Sequence, residues 1–277
     1  MKVPQHHADP RYRSVGNDSE LRIDQFSGPS EKSRSFRHDE GDSVLVAGQN
    51  YKKIKHIATT DMRHKIIHGP DDREEAPVRD LPYKCICLLY IRDYQNLIHY
   101  ATGFFISERC VITAGHCVFY KRNWMKDIEV VPAASGANKP FGSAVSKRFR
   151  SVEGWTKAGN SNFDYGAIIL NDDVLYNKVQ SKLTYRPIQE EKSIELSGYP
   201  LDKHKTQWRS HSRFSKLSKY RIYYYLDTVQ GNSGSPIYIN NGGESIVTGV
   251  HSFGGDPNYS IRLNQPIMNR WSEWSKL

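Results

Sequence analysis

The sequence predicts an all-β fold closed by a C-terminal helix. Two series of short β-branched and aromatic runs, punctuated by turn residues, carry the first part of that expectation. The helix rests on a stripe at the end of the chain. The first series comprises residues 83–90, 100–106 and 110–113, and the second comprises 167–170, 194–196, 221–226, 236–239 and 246–250. Ile267, Trp271, Trp274 and Leu277 then recur at intervals of four, three and three residues, which places them on one helical face. Such a stripe reads as a docking face for the body of the fold.

Residues 1–65 have a different composition. They are polar and rich in Ser, Asp, Arg and His, with one short apolar run at 44–47, and so read as a largely flexible pro-segment. Residues 66–277 remain, long enough to bury the core of two packed barrels. The basic stretch ending at Lys65 reads, on composition alone, as an unprocessed exposed loop.

The chain carries 39 Lys and Arg against 30 Asp and Glu, a net charge of +9. These charges are scattered, with clusters only at 147–150 and 204–219, and no recognised nucleic-acid motif accompanies them. No nucleic-acid partner is therefore expected, although the positive field favours acidic peptides. No stretch is long and apolar enough to cross a bilayer, so no membrane partner is expected, and the N-terminus shows no apolar signal region. Any signal peptide has been removed from this sequence, or export uses another route. Cys85, Cys87, Cys110 and Cys117 allow three complete pairings, among which sequence does not choose. Cys85 and Cys87 fall on one face of an expected strand, a poor geometry for a mutual disulfide, so buried free thiols are expected. No cofactor or metal is expected.

The chemistry concentrates in three segments. Gly231-Asn232-Ser233-Gly234-Ser235-Pro236 follows the run 221–226 and sets Ser233 in a glycine-flanked turn. A nucleophilic Oγ needs backbone N–H groups facing the atom it attacks, and glycines permit that approach, although such a stretch is also an ordinary tight turn. Val111-Ile112-Thr113-Ala114-Gly115-His116-Cys117 brings His116 out at the end of a β-branched run, and Asn162-Phe163-Asp164-Tyr165-Gly166 places Asp164 before another apolar run. The order His, Asp, Ser distinguishes among the folds that build such a triad. Asp172 and Asp173 compete for the aspartate's role, but they follow the apolar run and read as turn residues.

With Ser197-Gly198-Tyr199-Pro200 and Gly249-Val250-His251 added to these segments, the sequence resembles the chymotrypsin-like serine proteases, and more narrowly the bacterial glutamyl endopeptidases. The likeness runs from about Ile66 to the C-terminus; residues 1–65 match nothing recognisable. It implies two packed six-stranded antiparallel β-barrels with a C-terminal helix, the first barrel carrying His116 and Asp164 and the second Ser233. It also implies a secreted, monomeric serine endopeptidase acting on peptide or protein substrates, made as a zymogen and activated by a protease that cuts between Lys65 and Ile66. The backbone N–H groups of Gly231 and Ser233 take the oxyanion positions. Thr228, His251 and the α-ammonium of Ile66 line a pocket for Glu, with Asp as a second acceptable residue, and Ser252-Phe253-Gly254 pairs with the substrate backbone as an added strand.

Two features depart from the pattern. Many relatives bridge the cysteine after the histidine to one upstream, and that place is Ala101 here. Asp227, six residues before Ser233, stands where trypsin-like proteases bind Lys or Arg, so a trypsin-like endopeptidase is the rival enzyme. A non-catalytic binding module with a protease fold is the rival of another class.

Overall fold

The computed structural model describes residues 9–17, 67–189 and 193–277. Lys65, Ile66 and the apolar run 44–47 lie outside these residues. Two β-rings, a seam between them and the C-terminal helix account for the architecture.

The first ring runs Ile86–Arg92, Ile98–Phe105, Cys110–Thr113, Gly166–Ile169, Arg148–Val152 with its neighbour in sequence Ala144–Ser146, and Asp127–Pro132, which returns to Ile86–Arg92. Ala144–Ser146 and Arg148–Val152 act as one strand bent at Lys147, pairing with opposite sides of the ring, and counted so the ring has six strands. The second ring joins Glu244–Phe253, Pro236–Asn241, Ser193–Gly198, Trp208–Leu217, Arg221–Tyr224 and Asn258–Arg262, six strands closed by pairing of the last with the first. These are the two barrels that the resemblance implies. Short strands decorate both: Ser14–Gly16 on the first, Thr184–Tyr185 and Glu74–Glu75 on the second.

Ile86–Arg92 shows why the rings pack. Side chains alternate across a strand, and here both faces are apolar. Cys87, Leu89 and Ile91 fill the first barrel, whereas Ile86 and Leu88 enter the seam with Phe104, Tyr199, Tyr238, Val250 and Trp271. Ile194, Leu196, Ile222, Ile237 and Ile246 fill the second barrel. Cys85 lies in the 3-10 turn Tyr83–Cys85, not on the strand as expected, and the strand alternation does not reach it. It packs in the seam while Cys87 points into the barrel. All four cysteines are buried free thiols, and burial pushes the Cys85 thiol up to about 12.

The expected grouping of strands needs one correction. The run 167–170 was placed with the second series, but Gly166–Ile169 pairs antiparallel with Cys110–Thr113, with Gly166 opposite Thr113, and so belongs to the first ring. That register sets the residues just before Gly166 beside those just after Thr113. The strands Arg148–Val152 and Trp208–Leu217 coincide with the two basic clusters, where charge masked the strand signal.

The helix Gln265–Trp274 begins with Asn264, whose side chain accepts from the Ile267 N–H at 3.1 Å, and with Pro266 in its first turn, a favourable start. Ile267, Trp271 and Trp274 are buried in the seam, with the Trp271 ring 5.1 Å from Tyr185 and 5.9 Å from Phe104. Leu277 lies beyond the helix and is exposed, so it does not share the docking face. Residues 9–17, within the segment expected to be largely flexible, form a 3-10 turn at Pro10–Tyr12 and the strand Ser14–Gly16.

Candidate active site

His116 sits in the 3-10 turn Gly115–Cys117, directly after Cys110–Thr113. Asp164 follows the turn Ser161–Phe163, which Asn160 opens by accepting from the Asn162 N–H at 3.0 Å. The antiparallel register brings the two together. Asp164 Oδ1 accepts from the His116 backbone N–H at 2.8 Å, and Oδ2 is 2.8 Å from His116 Nδ1. A carboxylate only accepts, so Nδ1 carries the hydrogen, and when the ring is neutral Nε2 presents its lone pair. Gly115 makes room for this contact: a Cβ there would lie 2.9 Å from Asp164 Oδ1 and 2.9 Å from Trp155 Cδ1.

Burial alone would push the His116 pKa down, but the charge of Asp164 and its hydrogen bond outweigh that and hold it well above the usual histidine value. His116 Nε2 is buried and has no hydrogen-bond partner among the described residues. Asp172 and Asp173 stand instead at the start of the helix Val174–Val179, where Asp172 accepts from the Val174 N–H.

Ser233 approaches from the second barrel on a turn with two left-handed glycines, Gly231 at φ 101° and Gly234 at φ 85°. Both positions demand glycine twice over. A Cβ on Gly234 would overlap the Thr102 carbonyl and the Thr113 hydroxyl, and one on Gly231 would overlap the Tyr199 carbonyl. The turn is held by Asn232 N–H to the Val229 carbonyl at 3.0 Å, Gly234 N–H to the His251 carbonyl at 2.8 Å and Ser235 N–H to the Asn232 carbonyl at 2.9 Å. These bonds shape the loop around the amides of Gly231 and Ser233.

Sequence reasoning missed the residue that fastens this turn to the first barrel. Thr102, fully buried, donates its backbone N–H to the Ser233 carbonyl at 2.9 Å and its hydroxyl to the Gly231 carbonyl at 2.9 Å, and accepts from the Tyr199 N–H at 3.0 Å. Its only sequence signal was a hydroxyl inside an apolar run. Gly198, within the Ser197–Pro200 motif, allows the same close approach, because a Cβ there would overlap Ser235 Oγ and crowd Asn232 and Thr102. A second tie spans the barrels from the other side, where Ser252 Oγ donates to the Asp164 carbonyl at 3.1 Å.

Asp227, Thr228, His251 and Ser252 are all buried. The Tyr224 hydroxyl lies 2.6 Å from His251 Nδ1. Burial, helped by the neighbouring His116 charge, holds His251 down to about 3, so the imidazole is neutral. Thr228 Oγ1 has no hydrogen-bond partner among the described residues, and neither has Asp227 Oδ2. Asp227 Oδ1 is engaged: it accepts from the backbone N–H of His68 at 2.7 Å, and the His68 ring packs edge-on against Tyr225 at 5.0 Å. The structure thus joins Tyr224, four residues before Thr228, to His251 within the second barrel, and ties His68, two residues after Ile66, to Asp227, the neighbour of Thr228 in sequence. Ile66 itself is outside the described residues.

The Trypsin family model matches residues 75–269. The chain belongs to the trypsin family. It is 27% identical to Glutamyl endopeptidase of Bacillus licheniformis over 96% of this chain and 86% of that protein. It is 28% identical to a Bacillus subtilis protein named Extracellular metalloprotease, over 95% of this chain and 86% of the relative. A solved structure of Glu endopeptidase in complex with MPD superposes with a TM-score of 0.68 at 26% identity, covering 76% of this chain and 100% of the other. This trypsin-family chain is therefore a serine endopeptidase, a hydrolase of peptide bonds, with a chymotrypsin-like fold and glutamyl endopeptidases among its relatives.

Proposed function

We propose that this trypsin-family chain is a glutamate-selective endopeptidase whose pro-segment, residues 1–65, is cut from the catalytic part, 66–277, at Lys65. Ser233 attacks the substrate carbonyl while His116 Nε2 takes its proton; His116 later returns that proton to the departing amine, and a water repeats the cycle on the acyl-enzyme. Asp164 holds the ring tautomer and stabilises the imidazolium. The Gly231 and Ser233 amides receive the oxyanion, where losing one donor costs about 3 kcal/mol or more. The Asp164 carboxylate bound to both His116 N–H groups is what supports these roles.

Selectivity for Glu rests on one observation: Asp227 already accepts from the His68 backbone. A carboxylate with one oxygen already tied to the His68 amide is a poorer receptor for a substrate Lys or Arg. Burying a substrate carboxylate costs several kcal/mol unless donors meet it, and the buried, unpartnered Thr228 Oγ1 supports its reading as one of them. With His251 Nδ1 accepting from Tyr224, the neutral ring offers Nε2–H as a second donor. The third is the Ile66 α-ammonium, created only by cleavage and mostly cationic at neutral pH with a pKa near ~7.8. A spacing of two residues keeps it within about 7 Å of the His68 amide.

The site draws on both barrels of one chain, which supports a monomer acting on peptide or protein substrates, and the secreted life of this protease is read from the extracellular name of a relative. The deciding experiment compares Lys65-cleaved protein on matched peptides with Glu, Asp, Lys or Arg before the scissile bond. Glu should lead, and His251→Ala should lower kcat/KM for Glu peptides by a hundredfold or more while sparing the residual cutting of others. Preference for Lys or Arg, abolished by Asp227→Ala, would establish the trypsin-like rival.

A further inference from the structure

Residues 9–17 belong to the segment that cleavage at Lys65 would detach, yet they are built into the fold. Ser14–Gly16 extends the first barrel as an antiparallel strand on Arg148–Val152, with Ser14 opposite Val152 and Gly16 opposite Arg150. Asn17 clamps the same strand from its end: its side chain accepts from the Phe149 N–H at 2.6 Å and donates to the Lys147 carbonyl at 2.9 Å. The Glu153 N–H donates to the Arg13 carbonyl at 2.9 Å.

Side chains reach two further elements. The Trp274 indole N–H donates to Ser14 Oγ at 2.8 Å, and Asn264 Nδ2 donates to the Tyr12 hydroxyl at 3.2 Å, so both ends of the C-terminal helix are engaged. The Tyr12 ring meets Phe163 edge-on at 5.0 Å, and the Arg11 guanidinium lies 5.3 Å from the same ring. Phe163 immediately precedes Asp164. A Cβ on Gly16 would meet the Arg150 guanidinium, the end of a flexible side chain that would have to shift.

An added strand draws its affinity from main-chain bonds and its specificity from side-chain pockets, and this one has both. It also covers a strand edge that would otherwise stand open. Its removal would leave the Phe149 and Glu153 amides and the Trp274 indole without these partners.

We propose that residues 9–17 are a permanent strand of the enzyme, so that when the chain is cut anywhere between residues 18 and 66 the N-terminal fragment stays bound without a covalent link. The active form is then a two-chain complex. This holds whatever the substrate preference of the site.

The test uses the full chain carrying Ser233→Ala to prevent self-digestion, with a site for a sequence-specific protease inserted between Gly41 and Asp42. After complete cutting, native size-exclusion chromatography at micromolar concentration, read by mass spectrometry, should show the N-terminal fragment eluting with the body. Tyr12→Ala with Asn17→Ala should weaken the complex tenfold or more, and hydrogen exchange at the Phe149 and Glu153 amides should rise in that variant. A fragment that leaves the unsubstituted body, by separate elution or by precipitation of the body, overturns the proposal. So does a double variant that binds and protects those amides as well as the parent.

Discussion

Asp164 does two jobs at once, because one oxygen fixes the His116 backbone and the other its ring. Replacing it with Asn keeps the shape but removes the charge that lifts the His116 pKa. In the proposed mechanism His116 acts as a base only when deprotonated, so activity rises as pH climbs through its pKa. Asp164→Asn should therefore lower kcat by about 10^4-fold and move the acid limb of the kcat/KM profile to lower pH, as read from initial rates across a pH series. Thr102 carries a different burden. Thr102→Val keeps the volume but strands the Gly231 carbonyl and the Tyr199 N–H, at a cost of about 1–3 kcal/mol, measurable by urea unfolding. His116, Asp164 and Ser233 stand out as candidates in the sequence because each sits in a short motif whose order has chemical meaning. Thr102 does not, since its partners lie far along the chain and only folding reveals them.

The elements that carry these residues were legible where apolar periodicity was strong. The runs around Cys110–Thr113, Pro236–Asn241 and Glu244–Phe253 and the stripe of Ile267, Trp271 and Trp274 all announced themselves. Arg148–Val152 and Trp208–Leu217 did not, because basic residues interrupt both runs and their charge hid the alternation. The partnership of Gly166–Ile169 was also hidden: a sequence shows that a strand exists but not which neighbour it takes, and this pairing carries Asp164 to His116. The turn that carries Ser233 gives the prediction for this scale. Gly234→Ala meets both a φ of 85° and overlap with Thr102 and Thr113, so the turn must move away from the first barrel. Activity should fall by a hundredfold or more with far-UV circular dichroism unchanged, since the strands on either side are untouched.

At the scale of the molecule, catalytic geometry depends on how the two barrels seat against each other. The seam holds the largest buried side chains, and Trp271 and Trp274 lock the C-terminal helix across it. Trp271→Ala leaves a cavity there and should cost about 3–5 kcal/mol, seen as a lowered Tm. Neither barrel alone contains the proposed site: His116 and Asp164 come from one, Ser233 and the residues proposed to face the substrate from the other, and Thr102 and Ser252 tie the barrels together. That joint construction is the central claim, and covalent labelling tests it most directly. Protein cleaved at Lys65 and treated with a fluorophosphonate should carry a single adduct, located by peptide mass spectrometry on Ser233, with labelling slowed at least a thousandfold in Asp164→Asn. An unlabelled Ser233 in correctly processed, folded protein, or an adduct on another residue, would contradict it.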